Sequence, residues 1–223
     1  TDASEYRKIP LAVVKPKPES DFPKLIDFAN KYGLGLIPRT AGTSLGGQCV
    51  GEGIIVDTSM YFDDIIEVNT EESWARVQPG VVRDELNHYL KPYNLFFGPN
   101  TSTANRAMIG GMTGNNSSGS YSIVYGTTRE HTIEITGFLS DGSKVTFGPC
   151  DENEIHEKRK LNTLEGKIYH QLWELLSDPK NQKEIVDNYP DEAIHRRNTG
   201  YALDMLLKCQ PFDPKGLPFN ICQ

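Results

Sequence analysis

A chain of 223 residues, 37% of them hydrophobic, is long enough for one domain, or one domain in two lobes, around a substantial core. Its net charge of -7 argues against nucleic acid as a main partner, and no apolar run approaches the length of a membrane span. No secretory signal opens the chain, and Cys49, Cys150, Cys209 and Cys222 form no Cys-x-x-Cys pair; this excludes zinc-ribbon and iron–sulfur patterns and fits reduced thiols in a cytoplasmic protein.

In chain order, residues 10–16 read as a short strand ended by proline. Ser20 or Asp21 caps a helix carrying Phe22, Leu25, Ile26, Phe28 and Ala29 at helical spacing, and Gly33 stops it. A buried strand at 34–37 follows, which completes a strand–helix–strand unit with parallel neighbours. The next stretch, Pro38 to Gln48, is rich in glycine and hydroxyl residues and cannot pack a core. It can turn tightly and aim backbone N–H groups and the hydroxyls of Thr40, Thr43 and Ser44 at an anion such as a diphosphate. Gln48 stands where a phosphate-loop lysine is required, and Gly-x-Gly-x-x-Gly is absent, so neither standard nucleotide motif applies. Residues 53–57 give a third strand.

Residues 65–69 and 73–78 alternate as a hairpin, and Pro79-Gly80 turns into a helix that ends before Pro92. His88 on its flank reads as a surface or satisfied core residue rather than a catalytic one. Leu95-Phe96-Phe97 reads as a brief strand leading into a second polar loop, Gly98 to Ser122, with one helical turn between Asn105 and Met112 whose N-terminal amides would add positive potential. Strands at 131–139 and 144–147 flank an Asp141-Gly142 turn; with 65–78 they predict an antiparallel second lobe. Beyond Pro149, the charged 151–160 stretch reads as a loop or an exposed helix, and helices are expected around Ile168 to Leu176 before Asp178-Pro179 and at 184–189.

Three segments together carry a resemblance: Pro38-Arg39-Thr40-Ala41-Gly42-Thr43-Ser44, then Ile109-Gly110-Gly111 through Gly114-Asn115-Asn116, then Tyr125-Gly126-Thr127-Thr128-Arg129. They resemble the FAD-binding domain of the vanillyl-alcohol oxidase family, also called the PCMH type, in its branch of D-lactate and glycolate dehydrogenases. The segment Arg197-Asn198-Thr199-Gly200-Tyr201 is similar to that branch as well and speaks against a flavin reductase of cell-wall synthesis. The resemblance implies an α+β fold with a small parallel lobe at about 1–60 and an antiparallel lobe at about 61–223, incomplete at its C-terminus and without the substrate-binding cap.

By the same resemblance, Arg39, Thr40, Ala41, Gly42, Thr43 and Ser44 hold the pyrophosphate of FAD. Pro99, Thr101, Gly110, Gly111, Gly114, Asn115 and Asn116 line the ribityl chain and ring, and Ile133 gives backbone contacts near the adenine or the ring edge. Some relatives bond the flavin through a His in the first loop; Thr43 stands at that place here, and no linking Cys follows, so a dissociable FAD is expected. No convincing base and carboxylate-binding cation appear, and the five His have no metal spacing. The expected activity is oxidation of a 2-hydroxy acid with catalytic groups in a missing half and with an electron acceptor that no motif specifies. The alternative is a flavin-binding module without turnover.

Overall fold

A computed structural model describes residues 2–191, 193–194 and 200–222. The chain forms two compact units, Thr1–Thr128 and Arg129–Gln223. The division lies well beyond residue 60 because the hairpin at 65–77 and both glycine-rich loops fold with the parallel sheet.

In the first unit, strands β1 (Ala12–Val14), β2 (Leu36–Arg39) and β3 (Ile54–Asp57) make a parallel sheet in the order β1-β3-β2. The central strand explains its own sequence. Ile54, Ile55 and Val56 are all buried, so the run is apolar on both faces. Each such side chain contributes roughly 1.5–3 kcal/mol through burial. Helix α1 (Asp21–Tyr32) connects β1 to β2 and ends at Gly33, whose amide bonds the carbonyls of Ala29 and Asn30. Ser20 makes no side-chain cap; the Asp21 carboxylate instead accepts from the Lys17 amide at 3.2 Å. Ala29 is buried and Phe22 meets Phe62 with ring centroids 5.1 Å apart, whereas Phe28 turns outward onto Tyr32.

Strand β2 runs further than the pattern predicts. Pro38 and Arg39 pair with Val56 and Asp57, so the first loop begins at Thr40. Strands β4 (Ile65–Asn69) and β5 (Trp74–Val77) form the expected hairpin. Helix α2 (Arg83–Leu90) buries Leu86 and Leu90 with Val81 against Ile65, Val68, Ala75 and Val77.

The predicted strand at 95–97 does not form. Side chains of α2 take its backbone groups instead: Asn87 Oδ1 accepts from the Phe97 amide at 2.7 Å, and Asn87 Nδ2 donates to the Phe97 carbonyl at 3.2 Å. Helix α3 (Ile109–Gly114) starts later than expected, and the short helix α4 (Ser122–Tyr125) follows.

In the second unit, β6 (Ile135–Phe138) and β7 (Lys144–Phe147) pair across Gly142, whose φ of 83° allows the tight turn. Residues 131–134 stay outside the ladder; Arg129–His131 is a 3-10 turn. The antiparallel lobe drawn from 65–78 and 131–147 is therefore two separate two-stranded ladders, one in each unit.

Helices α5 (Glu152–Lys158), α6 (Leu164–Ser177), α7 (Pro179–Asn188) and α8 (Leu203–Leu206) complete this unit. Asp151 and Glu154 form a capping box on α5. Asp178 caps α7 as well as ending α6, so that helix starts earlier than the predicted 184. The core gathers Cys150, Ile155, Tyr169, Leu176, Ile185, Leu206, Cys209 and Phe219.

Candidate FAD site

The two glycine-rich loops of the first unit, more than 60 positions apart in the chain, come together. Gln48 Nε2 donates to Asn115 Oδ1 at 3.2 Å, and Thr103 Oγ1 lies 3.4 Å from Thr43 Oγ1. The Thr40 hydroxyl sits over Gly111, where a β-carbon would stand 2.6 Å from Thr40 Oγ1. Gly110 is pressed against Pro79 just as closely, at 2.4 Å from the Pro79 Cβ. At 110 the crowding includes the Pro79 backbone and requires glycine, whereas at 111 the neighbour is the end of the Thr40 side chain, which can turn aside.

The first loop presents donors. The backbone N–H groups of Thr40, Ala41, Gly42, Thr43 and Ser44 have no acceptor among the described residues. Gly42 has φ 66°, the left-handed conformation that turns successive amides toward one side. The Arg39 guanidinium folds back over Gly42: a β-carbon there would lie 2.7 Å from Nη2. It makes no ion pair among the described residues, although its charge is felt at the neighbouring Asp2 carboxylate and Cys49 thiol. The Asp2 carboxyl is held below its usual range chiefly by the Ser4 hydroxyl, and burial raises the Cys49 thiol. The loop is backed by the N-terminal segment, where the Ala3 amide donates to the Gly42 carbonyl at 3.0 Å and Tyr6 packs on Gly47.

The second loop is anchored at both ends. On one side, Thr127 Oγ1 donates to Asn116 Oδ1 at 2.8 Å and Thr128 Oγ1 donates to the Ser117 carbonyl at 2.7 Å; both threonines are buried. On the other, Pro99 is fully buried. Between them, Thr101 Oγ1 is closed off from solvent and has no hydrogen-bond partner among the described residues. A buried hydroxyl in that state costs ~1–3 kcal/mol, a penalty relieved when it meets a ligand's polar group.

One expectation needs correction. The first two amides of α3 are not available to an anion, because Ile109 N–H donates to the Val81 carbonyl and Gly110 N–H to the Pro79 carbonyl, both at 2.9 Å; of that turn's opening amides, Gly111 N–H is left without an acceptor among the described residues. Most of the free donors therefore come from the first loop.

Against this geometry, the sequence of the FAD binding domain family matches residues 10–148. The chain belongs to that family. It is 39% identical over 206 residues to the D-2-hydroxyglutarate dehydrogenase of Escherichia coli K12, and 42% identical over 209 residues to that of Haemophilus influenzae. Each alignment covers 91% of this chain and 20% of the relative. The glycolate oxidase subunit GlcD of Bacillus subtilis is 30% identical over 83% of this chain and 41% of its own length. The chain thus spans about a fifth of the D-2-hydroxyglutarate dehydrogenases that it matches. The structure of an alkyldihydroxyacetonephosphate synthase superposes with a TM-score of 0.54 at 22% identity over 61% of this chain and 28% of that one, a likeness of fold. The family supplies the α+β, PCMH-type architecture and FAD as the expected ligand.

The residues fit that ligand. Five amides around an arginine, without acceptors among the described residues, suit a diphosphate, and the Thr101 hydroxyl, without a partner among them, suits a polyol or phosphate. The contacts join Thr40 and Thr43 to Gly111 and Thr103, and they bring Asn115 to the first loop through Gln48. Gly114 lies exposed at the end of α3. Ile133 belongs to the second unit, where its carbonyl accepts from Asn220 Nδ2 at 2.9 Å. Residues 195–199, which include the Arg-Asn-Thr portion of the segment at 197–201, lie outside the described residues.

Sequence reasoning gave Gln48 and Thr103 no role at the site, and nothing in their neighbourhood marks them as bridges between distant loops. A separate cavity of about 180 Å³, lined by Tyr6 to Pro10 with Cys49, Val50 and Ile55, includes none of the candidate cofactor residues. No group of three or more His, Cys, Asp or Glu among the described residues is placed to hold a metal, and no described helix is long and apolar enough to cross a membrane.

Proposed function

We propose that the chain is the FAD-holding part of an oxidoreductase that oxidises a 2-hydroxy acid of the D-2-hydroxyglutarate, D-lactate or glycolate type. The observation that carries this reading is the meeting of the two loops at Thr40–Gly111, Thr43–Thr103 and Gln48–Asn115, beside amides that have no acceptor among the described residues. The names of the relatives support the substrate class.

FAD, when bound, accepts a hydride from the substrate carbon. Arg39 and the amides of Thr40–Ser44 hold its diphosphate, while Thr101, Gly110, Gly111, Gly114, Asn115 and Asn116 line the ribityl chain and ring. Thr43 offers no imidazole for a covalent bond, so the cofactor dissociates. In this proposal the base and the cation that binds the substrate carboxylate lie outside residues 1–223, and a small 2-hydroxy acid meets the flavin only in their presence. A cytoplasmic setting belongs to the same proposal, supported by four unpaired thiols.

Titration of the chain with FAD, followed by flavin fluorescence, tests the first step. Saturable quenching and release of all flavin into the supernatant on acid precipitation are expected. Flavin that stays with the polypeptide in acid overturns the dissociable cofactor. Anaerobic addition of D-2-hydroxyglutarate to the loaded chain should leave the flavin absorbance unbleached; rapid bleaching would place the base within these residues.

A further inference from the structure

Arg83 is an odd residue for its place. It opens α2, where an arginine ordinarily reaches solvent, yet it is 8% exposed. Its guanidinium is fully engaged on three sides: Nε donates to the Pro99 carbonyl at 3.0 Å, Nη2 to the Phe97 carbonyl at 3.1 Å, and Nη1 to Asp84 Oδ1 at 2.9 Å. The backbone of the same helix turn holds the far end of that loop, with Arg83 N–H on the Ala107 carbonyl at 2.9 Å and Asp84 N–H on the Ala104 carbonyl at 3.2 Å. The start of α2 thus fixes the second loop at residues 97, 99, 104 and 107. The stretch left between these tethers, 100–103, carries the unpartnered Thr101 hydroxyl and the Thr103 hydroxyl that meets Thr43.

We infer that Arg83 is a positioning residue for the cofactor: its fork on the Pro99 and Phe97 carbonyls sets where Thr101 and Thr103 stand relative to the first loop. This rests on the FAD reading above. A planar guanidinium serves two carbonyls in fixed directions at once, which a lysine ammonium on a flexible stem does not reproduce. Asn87, which bonds both polar groups of Phe97, supports the same segment from one turn further along.

The test compares the full chain with R83M, R83K, N87A, T101V and L86A, measuring FAD affinity by fluorescence and the unfolding midpoint without FAD. L86A removes a buried side chain from the core cluster against which Phe97 and Ile109 also pack but leaves the Arg83 fork in place, so it reports destabilisation without loss of the fork.

R83M is expected to weaken FAD binding about tenfold or more, with R83K between it and the wild type. L86A should lower the midpoint at least as far with FAD affinity within about twofold of wild type. R83M combined with T101V should bind no worse than R83M, because Thr101 is already displaced. The inference is overturned if R83M behaves as L86A does, or if the R83M and T101V losses simply add. If R83M does not fold, R83K and N87A decide: unchanged affinity in both refutes it. A wild-type chain that takes up no FAD refutes the FAD reading itself, a result distinct from any of these.

Discussion

Gly111→Ala separates the stability of the first unit from its capacity to hold a cofactor. The new methyl would stand 2.6 Å from Thr40 Oγ1, whereas ordinary contact begins at 3.4 Å, so the two must part by 3.4 − 2.6 = 0.8 Å. Thr40 is a flexible side-chain end, and turning it off its rotamer costs about 0.5–1.5 kcal/mol. Alanine in place of glycine within a helix returns about 0.8–1 kcal/mol. The two effects nearly cancel, so the unfolding midpoint should move little. The loops do not recover in the same way: the contacts joining them, 3.2 Å for Gln48–Asn115 and 3.4 Å for Thr43–Thr103, have no slack for a displacement of that size. FAD affinity should fall about tenfold, equivalent to ~1.4 kcal/mol. Adding Thr40→Ala to Gly111→Ala removes the clash, and the pair should bind FAD as Thr40→Ala alone does. Fluorescence titration gives the affinities and denaturant unfolding the stability. Wild-type affinity in Gly111→Ala, with an unchanged midpoint, would show that the closeness of the two loops does not govern the site.

Two other perturbations have defined signs. Thr101→Val removes a buried hydroxyl with no partner, so the FAD-free chain should become more stable by up to ~1–3 kcal/mol while FAD affinity drops; a loss of both in urea unfolding and titration would mean the hydroxyl has a structural partner. In the second unit, burial pushes the Cys222 thiol up to about 11 from its usual 9.0 and raises Cys209 as well. The unfolded chain therefore loses these protons first, and the folded state's advantage, intact below pH 9, is lost as pH rises toward 11. The urea midpoint of this unit should fall over that interval, and less steeply in Cys222→Ser; a flat profile would contradict the burial of these thiols.

The elements whose signal is local were legible in the residues themselves. Gly33 ends α1, the Asp141-Gly142 turn joins β6 to β7, and the apolar run at 54–56 is the buried central strand, because caps, tight turns and two-sided burial are imposed within a few residues of chain. The glycine-rich segments also disclosed themselves, since a stretch unable to pack a core must turn or bind. Tertiary structure decided what depends on a partner far away in sequence. Leu95–Phe97 has strand composition, yet no strand forms, and the backbone groups of Phe97 are taken by the side chains of Asn87 and Arg83. The amides of Ile109 and Gly110 at the start of α3 bond the carbonyls of Val81 and Pro79 rather than facing a ligand. The hairpin at 65–77 folds with the parallel sheet, and no pattern within its own residues dictates which unit it joins. The approach of Thr40 to Gly111 likewise follows from where β2 and α2 place their ends, a matter of packing that spacing along the chain does not encode.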